Sequence, residues 1–364
     1  MFSFSDELGP AKIVHLTERR TGLRAIVVID NVAAGPAIGG LRMSTEVTTE
    51  ICVRLARAMT LKNAMAGLPH GGAKSGIVAD PKMDVADKEA LVRAFADAIK
   101  DLKDYVPGPD MGTNETAMAW ILDEIGRAVG LPSALGGLPL DQLGTTGYGV
   151  AVATEVAAKR MALDLDGARI VVQGYGNVGR PAARFLAERG CVLVAVADSR
   201  GAITEPQGLD LDTLDELKAA HASVIDHPGR PLGHEELVGV DCDIWIPAAG
   251  PDVLRLDNVD RLRADLVVQG ANIPATPAAE DSLHGRGVVC IPDFVANAGG
   301  VICGAIEYAG GTRRQAFETI DEQIRSNTDM VLERAANQEE SPRQSALAIV
   351  GDRVRAAMTT RRWC

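Results

Sequence analysis

At 364 residues the chain is longer than one hydrophobic core usually serves, so two domains are expected. Hydrophobic residues make up 46% and charged residues 24%, an ordinary balance for a globular protein in water, with no apolar run of about 18 residues to suggest a membrane helix. A formal net charge of −12 argues against nucleic acid or an anionic membrane as partner, because both need a basic face, and leaves small metabolites.

The cysteines (Cys52, Cys191, Cys242, Cys290, Cys303 and Cys364) show neither Cys-x-x-Cys nor a His-rich spacing, so no disulfide framework and no metal site are expected. The opening residues lack a basic stretch followed by an apolar one, and a reducing cytoplasm is the expected address.

In chain order, residues 23–30 form a β-branched run that predicts a strand, and Gly35-Pro36-Ala37-Ile38-Gly39-Gly40-Leu41-Arg42 reads as a glycine-rich loop where backbone could approach a ligand. Val47, Ile51, Leu55, Ala58, Met59 and Met65 recur near helical period, and Gly67 with Pro69 ends that helix, which puts Lys62 in its last turns. Twelve residues on stands Lys74, in Gly71-Gly72-Ala73-Lys74-Ser75-Gly76. A lysine bracketed by glycines can be desolvated against backbone and ligand, which drives an ammonium pKa from ~10.4 toward the ~7 to 8 that proton transfer needs. Lys74 is therefore a candidate base. His70, in the same loop, is expected to face solvent.

Residues 77–81 read as the end of a short strand and 88–102 as a second amphipathic helix. The stretch 130–147, rich in glycine and proline, reads as loop and domain boundary. A helix over 150–161 is followed by a buried strand, 169–173, that opens into Gly174-Tyr175-Gly176-Asn177-Val178-Gly179, then a helix over 180–189 and a strand over 192–197. Apolar runs at 244–247, 266–268 and 288–291 supply further parallel strands, and the tail from about 315 to 363 reads as helices broken near Ser341-Pro342.

Glycine spacing alone is weak, but here the glycines follow a strand, open a helix and are followed nineteen residues after Gly179 by Asp198. The first glycine permits the tight turn, the second admits the pyrophosphate to the backbone, and the third lets helix pack on strand. The helix N-terminus favours the phosphates. Asp198 would accept from the adenosine ribose hydroxyls and repel a 2′-phosphate, favouring NAD over NADP, although Arg200 weakens that preference.

These residues resemble the amino acid dehydrogenase superfamily that contains the glutamate, leucine, valine and phenylalanine dehydrogenases. The likeness runs through the glycines at 39–42, Lys62-Asn63-Ala64, Gly71-Gly72-Ala73-Lys74, Pro109-Asp110-Met111-Gly112-Thr113-Asn114, Thr146-Gly147, the fingerprint, Asp198-Ser199-Arg200-Gly201, Pro247-Ala248-Ala249, Gly270-Ala271-Asn272 and Asn297-Ala298-Gly299-Gly300. It implies an α/β fold of two domains. A substrate and oligomerisation domain would take residues 1–140, with helices from 330–364 packing back on it, and a doubly wound Rossmann-type domain 141–329, with a cleft between. It also implies NAD(P)-linked oxidative deamination of an L-2-amino acid to a 2-oxoacid and ammonia, the reverse amination, and a homo-oligomer, hexamer or octamer, in which strand residues 12–15 could pair at a subunit edge.

By the same resemblance Lys62 would bind the substrate carboxylate with help from the Gly39 and Gly40 backbone, and Lys74 would activate the water that attacks the iminium. Asp110 would move protons at the nitrogen, and Thr146, Ala248 and Asn272 would serve the cofactor together with Gly174, Gly176, Asn177, Val178, Gly179 and Asp198. Glutamate enzymes of the family carry a lysine before the glycine pair and a serine seven residues after the Asn of Asn-Ala-Gly-Gly; this chain has Ile38 and Gly304. A buried carboxylate without a partner costs several kcal/mol, so leucine, valine or a larger apolar amino acid is expected as substrate. The first half is worded like leucine and valine dehydrogenases and the second like glutamate dehydrogenases, so a glutamate dehydrogenase with a rebuilt pocket is the alternative. A non-catalytic NAD-binding homologue is a third reading, against which Lys62, Lys74 and Asp110 stand together; hydroxy acid oxidation would want a histidine base, and no histidine sits in a matching motif.

Overall fold

The computed structural model describes residues 3–360, so Cys364 and the last residues of the expected tail lie outside it. The chain divides into two compact units: the first takes the residues through Leu143, then Val301–Thr319 and the residues from Ala348 on; the second takes Gly144–Gly300 and Ile320–Leu347. The sequence instead places 301–319 with the second domain and 330–347 with the first.

The first unit is built on a five-stranded sheet of order β1-β2-β4-β3-β5. Its strands are β1 (Lys12–Glu18), β2 (Leu23–Asn31), β3 (Ala37–Met43), β4 (Gly71–Ile77) and β5 (Tyr105–Pro109). β1, β2 and β4 pair antiparallel, and β3 runs parallel to both β4 and β5. Strand side chains alternate between faces, and here the alternation sorts two cores. Val27, Ile29, Ala73, Ile77 and Tyr105 join Phe95 of helix α2 (Val85–Ala98) and Met118 of helix α3 (Glu115–Ile125) on one face. Val28 joins Cys52 and Ala56 of helix α1 (Thr49–Met65) on the other. Thr48 caps α1, its hydroxyl accepting from the Ile51 N–H at 3.2 Å.

Two segments read as glycine loops are strands. β4 is buried along its whole length, and β3 continues through Gly39 and Gly40. Glycine is a poor strand former because it offers no side chain to pack, and here the missing side chain is what is used. A Cβ at Gly72 would lie 2.5 Å from the Thr60 Cα, so α1 rests with its backbone on the strand there, and one at Gly76 would lie 2.5 Å from the Val47 Cγ1, a side chain that precedes the helix. Lys74 stands between those two glycines on the same side of β4.

The second unit holds a seven-stranded sheet of order β12-β11-β10-β6-β7-β8-β9. Its strands are β6 (Arg169–Gln173), β7 (Val192–Asp198), β8 (Gly201–Thr204), β9 (Arg230–Leu232), β10 (Ile244–Pro247), β11 (Leu266–Val268) and β12 (Val289–Ile291). From β12 to β7 the pairs are parallel, and β8 and β9 extend the edge antiparallel. The parallel strands are continuous apolar runs, as burial on both faces requires. After the short helix α4 (Leu140–Leu143), the second unit holds α5 (Thr145–Arg160), α6 (Gly179–Ala187), α7 (Leu211–Ala219), α8 (Pro277–Gly285) and α9 (Asp293–Ala296); α10 (Gly299–Tyr308) falls mostly in the first unit, and α11 (Arg313–Gln338) and α12 (Pro342–Thr360) each contribute to both. Arg343 of α12 pairs with Glu280 of α8 and, at 3.0 Å, with Asp293 of α9. No helix among the described residues is long and apolar enough to cross a membrane.

Candidate active site and dinucleotide site

In the first unit the Lys74 ammonium lies 2.9 Å from the Asp110 Oδ2, at the end of β5. The Arg42 Nε donates to the same oxygen at 2.8 Å. Arg42 was not singled out in the sequence, although it stands two residues after Gly40 on β3 and so shares its face. Gly40 pairs with Gly108 of β5. A Cβ on Gly40 would stand 2.8 Å from the Asp110 Cβ and 3.2 Å from the Lys74 Nζ, so the absent side chain is the space in which the ion pair forms. Burial alone would raise the Asp110 pKa, but Lys74 and Arg42 overcome it and hold the carboxyl below the usual range. Both cations bind Oδ2, and among the described residues nothing donates to Oδ1. That second oxygen is available as a proton acceptor.

Lys62 occupies the last turn of α1 and is 7% exposed. The turn is tied down on two sides: the Asn63 amide donates to the Gly71 carbonyl at 2.6 Å, and the Arg353 guanidinium, from α12, donates to the Ala64 carbonyl at 3.1 Å. Ile38 is buried on β3, paired with Gly72 and Val106. Gly304, on α10, is close to Val129: a Cβ there would meet the Val129 Cγ2 at 3.5 Å, ordinary contact. The same valine packs over Gly108. Its segment is held by Glu307, whose carboxylate accepts from the N–H groups of Gly130 at 2.6 Å, Leu131 at 2.9 Å and Leu138 at 3.2 Å. Burial raises the Glu307 pKa in spite of those bonds.

His70 does not face solvent. It is buried, its Nδ1 donates to the Pro36 carbonyl at 3.0 Å, and its ring meets Tyr308 edge to face at 5.7 Å. Burial lowers its pKa, the Pro36 contact pulling slightly the other way.

In the second unit β6 lies between β7 and β10 and the chain leaves it in both directions, the switch point at which open α/β sheets bind ligands. Gly174, with φ of 105°, would place a Cβ 2.6 Å from the Ala249 backbone, and Gly179 would overlap the Gly174 carbonyl. Above Gly176 the space is open. A tight cradle with an opening over its middle glycine fits a dinucleotide pyrophosphate, with Asn177 and Val178 leading into the N-terminus of α6.

Ala248 continues β10, its N–H donating to the Gln173 carbonyl at 2.7 Å. The turn after β11 is tied to the end of β10 by the Ala271 N–H on the Pro247 carbonyl at 2.8 Å. The Asn297 amide donates to the Gly270 carbonyl at 3.1 Å and to the Asn272 Oδ1 at 3.2 Å, orienting Asn272. Thr146 lies against the residues just after Asn297, its Cα 3.3 Å from where a Gly299 Cβ would stand. Gly174, Ala248 and Asn272 thus follow the carboxyl ends of the three neighbouring strands β6, β10 and β11. Asp198, at the end of β7, is engaged by Lys218 at 3.0 Å and by Ser223 at 2.7 Å. Burial opposes its ionisation, but these and two backbone N–H bonds bring its pKa to about 2.

Residues 136–362 match the family model described as glutamate/leucine/phenylalanine/valine dehydrogenase, and residues 11–127 the dimerisation domain of the same family. A glutamate dehydrogenase of Aeropyrum pernix is 39% identical over 92% of this chain and 85% of its own. An NADP-specific glutamate dehydrogenase of Saccharolobus shibatae is 36% identical (91% and 83% covered), and an NAD-specific one of Staphylococcus aureus is 35% identical (94% and 86%). Among solved structures, the hetero-hexameric glutamate dehydrogenase of Thermus thermophilus in its Leu-bound form superposes with a TM-score of 0.88 at 32% identity, covering 97% of this chain and 90% of that one. The L-tryptophan dehydrogenase of Nostoc punctiforme gives 0.74 at 25% identity, covering 97% and 98%.

Proposed function

Because the chain belongs to the glutamate/leucine/phenylalanine/valine dehydrogenase family, NAD(P)-dependent oxidoreductases acting on CH–NH2 groups, we propose that it deaminates an L-2-amino acid with an apolar side chain to the 2-oxoacid and ammonia, and runs the reverse amination. The observation that carries this reading is the Lys74–Asp110 pair formed over Gly40, with one carboxylate oxygen left open.

Lys62 would fix the substrate carboxylate, helped by the Gly39 and Gly40 backbone, and so hold the α-carbon in one orientation. A nicotinamide, when bound, would supply the hydride acceptor. Asp110 takes a proton from the substrate nitrogen at Oδ1, which leaves an amine from whose α-carbon a hydride can depart. Water adds to the resulting iminium while Lys74, in its neutral amine form, removes its proton; Asp110 then returns its proton to the carbinolamine nitrogen and takes the hydroxyl proton as the C–N bond breaks, releasing ammonia and the oxoacid. Asp110, 2.9 Å from Lys74, connects the two proton transfers.

Ile38, Val129 and Gly304 support the apolar side chain: they offer no charge to a second substrate carboxylate, whose burial unpaired costs several kcal/mol. The second reading, glutamate, is favoured by the names of the relatives and needs a cation from elsewhere in the chain. A panel of L-amino acids assayed for reduced nicotinamide at alkaline pH separates the two. Turnover of leucine, valine or phenylalanine with kcat/KM at least about tenfold above glutamate is expected, and glutamate as the best substrate would overturn the apolar assignment. NAD serves as cofactor in this reading. Self-association is also part of it, supported by the hexameric Thermus relative and by β1 at the sheet edge.

A further inference from the structure

An acidic residue about 20 positions beyond a dinucleotide fingerprint ordinarily receives the ribose hydroxyls, and a nearby arginine accommodates a 2′-phosphate instead. Asp198 stands in that place, yet its carboxylate is already saturated. Oδ1 accepts from the Arg200 N–H at 2.9 Å and the Ser223 hydroxyl at 2.7 Å; Oδ2 accepts from the Lys218 ammonium at 3.0 Å and the Val224 N–H at 3.0 Å. An ionised carboxylate has about four lone-pair positions, and the protein fills them all. The side chain is only 9% exposed, while Lys218 reaches it from α7 with 26% of its own surface in solvent.

Two consequences follow for a cofactor at this strand end. Asp198 has no acceptor position left for ribose without giving one up. Its negative charge, which would otherwise repel a 2′-phosphate, is offset by an ammonium in hydrogen-bond contact. Beside it the Arg200 guanidinium is 53% exposed and held at the long distance of 3.3 Å by Asp226, so it can turn to a phosphate at little cost.

Resting on the dinucleotide reading of the fingerprint, we infer that Lys218 neutralises Asp198 internally and, with Arg200 as the exposed cation, opens the end of β7 to a 2′-phosphate, so that the chain binds NADP as well as NAD. Lys218 is a specificity-determining residue in this arrangement, and Ser223 and Val224 keep Asp198 from serving as the discriminator.

Titration calorimetry of the full chain with NAD and with NADP, in the absence of amino acid, tests this. The wild type is expected to bind the two with Kd values within about tenfold of each other. Lys218→Met is expected to raise the ratio Kd(NADP)/Kd(NAD) by about tenfold or more, as loss of one charge-assisted contact implies. Lys218→Arg should restore the ratio, and Arg200→Gln should raise it in the same direction. Melting temperatures of both Lys218 variants control for folding. Rejection of NADP by more than about a hundredfold in the wild type, or a ratio unchanged in Lys218→Met, would overturn the inference while leaving the dinucleotide site standing. Binding of neither dinucleotide would overturn both, and is distinguishable for that reason.

Discussion

The two units use glycine in opposite ways. In the second, the fingerprint glycines sit where a strand hands over to a helix, at Gly174, Gly176 and Gly179, and the parallel strands are rich in valine, isoleucine and leucine. In the first, glycines sit inside strands, at Gly39, Gly40, Gly72, Gly76 and Gly108; Gly72 lets α1 come down onto the sheet, and Gly40 leaves room for the Lys74 side chain. One unit leaves a loop open above its middle glycine. The other thins a sheet where a lysine and an aspartate meet, and so gives up strand propensity at that point.

The sharpest way to break that comparison is to remove the chemistry without touching the glycines. Lys74→Ala should lower kcat by about 10²–10⁴-fold, the range for loss of a general base, while dinucleotide binding measured by calorimetry persists. Retained turnover would mean that the glycine strands serve packing alone.

Paired substitutions of glycine come next. Gly72→Ala would drive a Cβ into the Thr60 backbone and should cost about 1–3 kcal/mol or more in denaturant unfolding. Gly176→Ala meets nothing within 4 Å and should unfold as the wild type does, but its dinucleotide Kd should rise at least about tenfold. Equal stability of the two variants would erase the distinction between strand and loop glycines.

Arg42→Met should lower kcat/KM by about tenfold. Because a cation that holds Asp110 ionised is removed, the acid limb of the pH–rate profile should move to higher pH; an unmoved limb would show that Arg42 only packs. The smallest expected effect is at His70. Its folded pKa lies below the ordinary 6.5, so as pH falls through that value the unfolded chain binds more protons and stability declines. His70→Gln should flatten the fall in melting temperature below that pH, and an unchanged fall would show that His70 does not contribute to it.

The second unit was largely legible in the sequence because its strands are unbroken β-branched runs and its glycines interrupt them only at turns. Residues 169–173, 244–247 and 266–268 coincide with β6, β10 and β11. β3 and β4 were read as loops, since glycine is the residue that usually ends a strand and nothing local tells a thinned strand from a turn. Helix periodicity placed Lys62 in the last turn of α1. Arg42 could have been found from period-two spacing with Gly40. The burial of His70 could not, because it depends on Tyr308, more than 200 residues on. Nor could the saturation of Asp198, whose partners Lys218 and Ser223 arrive only through the packing of the residues beyond β8.

Gly40→Ala joins fold and chemistry in one substitution, because the added Cβ would stand 3.2 Å from the Lys74 Nζ and 2.8 Å from the Asp110 Cβ. Steady-state kinetics of this variant on the best apolar amino acid, with its melting temperature measured beside it, is the most direct test. A folded protein whose kcat falls by about a hundredfold or more is the expected result, as for a misplaced proton-transfer pair. A folded protein with kcat within about threefold of the wild type would contradict the claim that the thinned sheet exists to assemble Lys74 and Asp110.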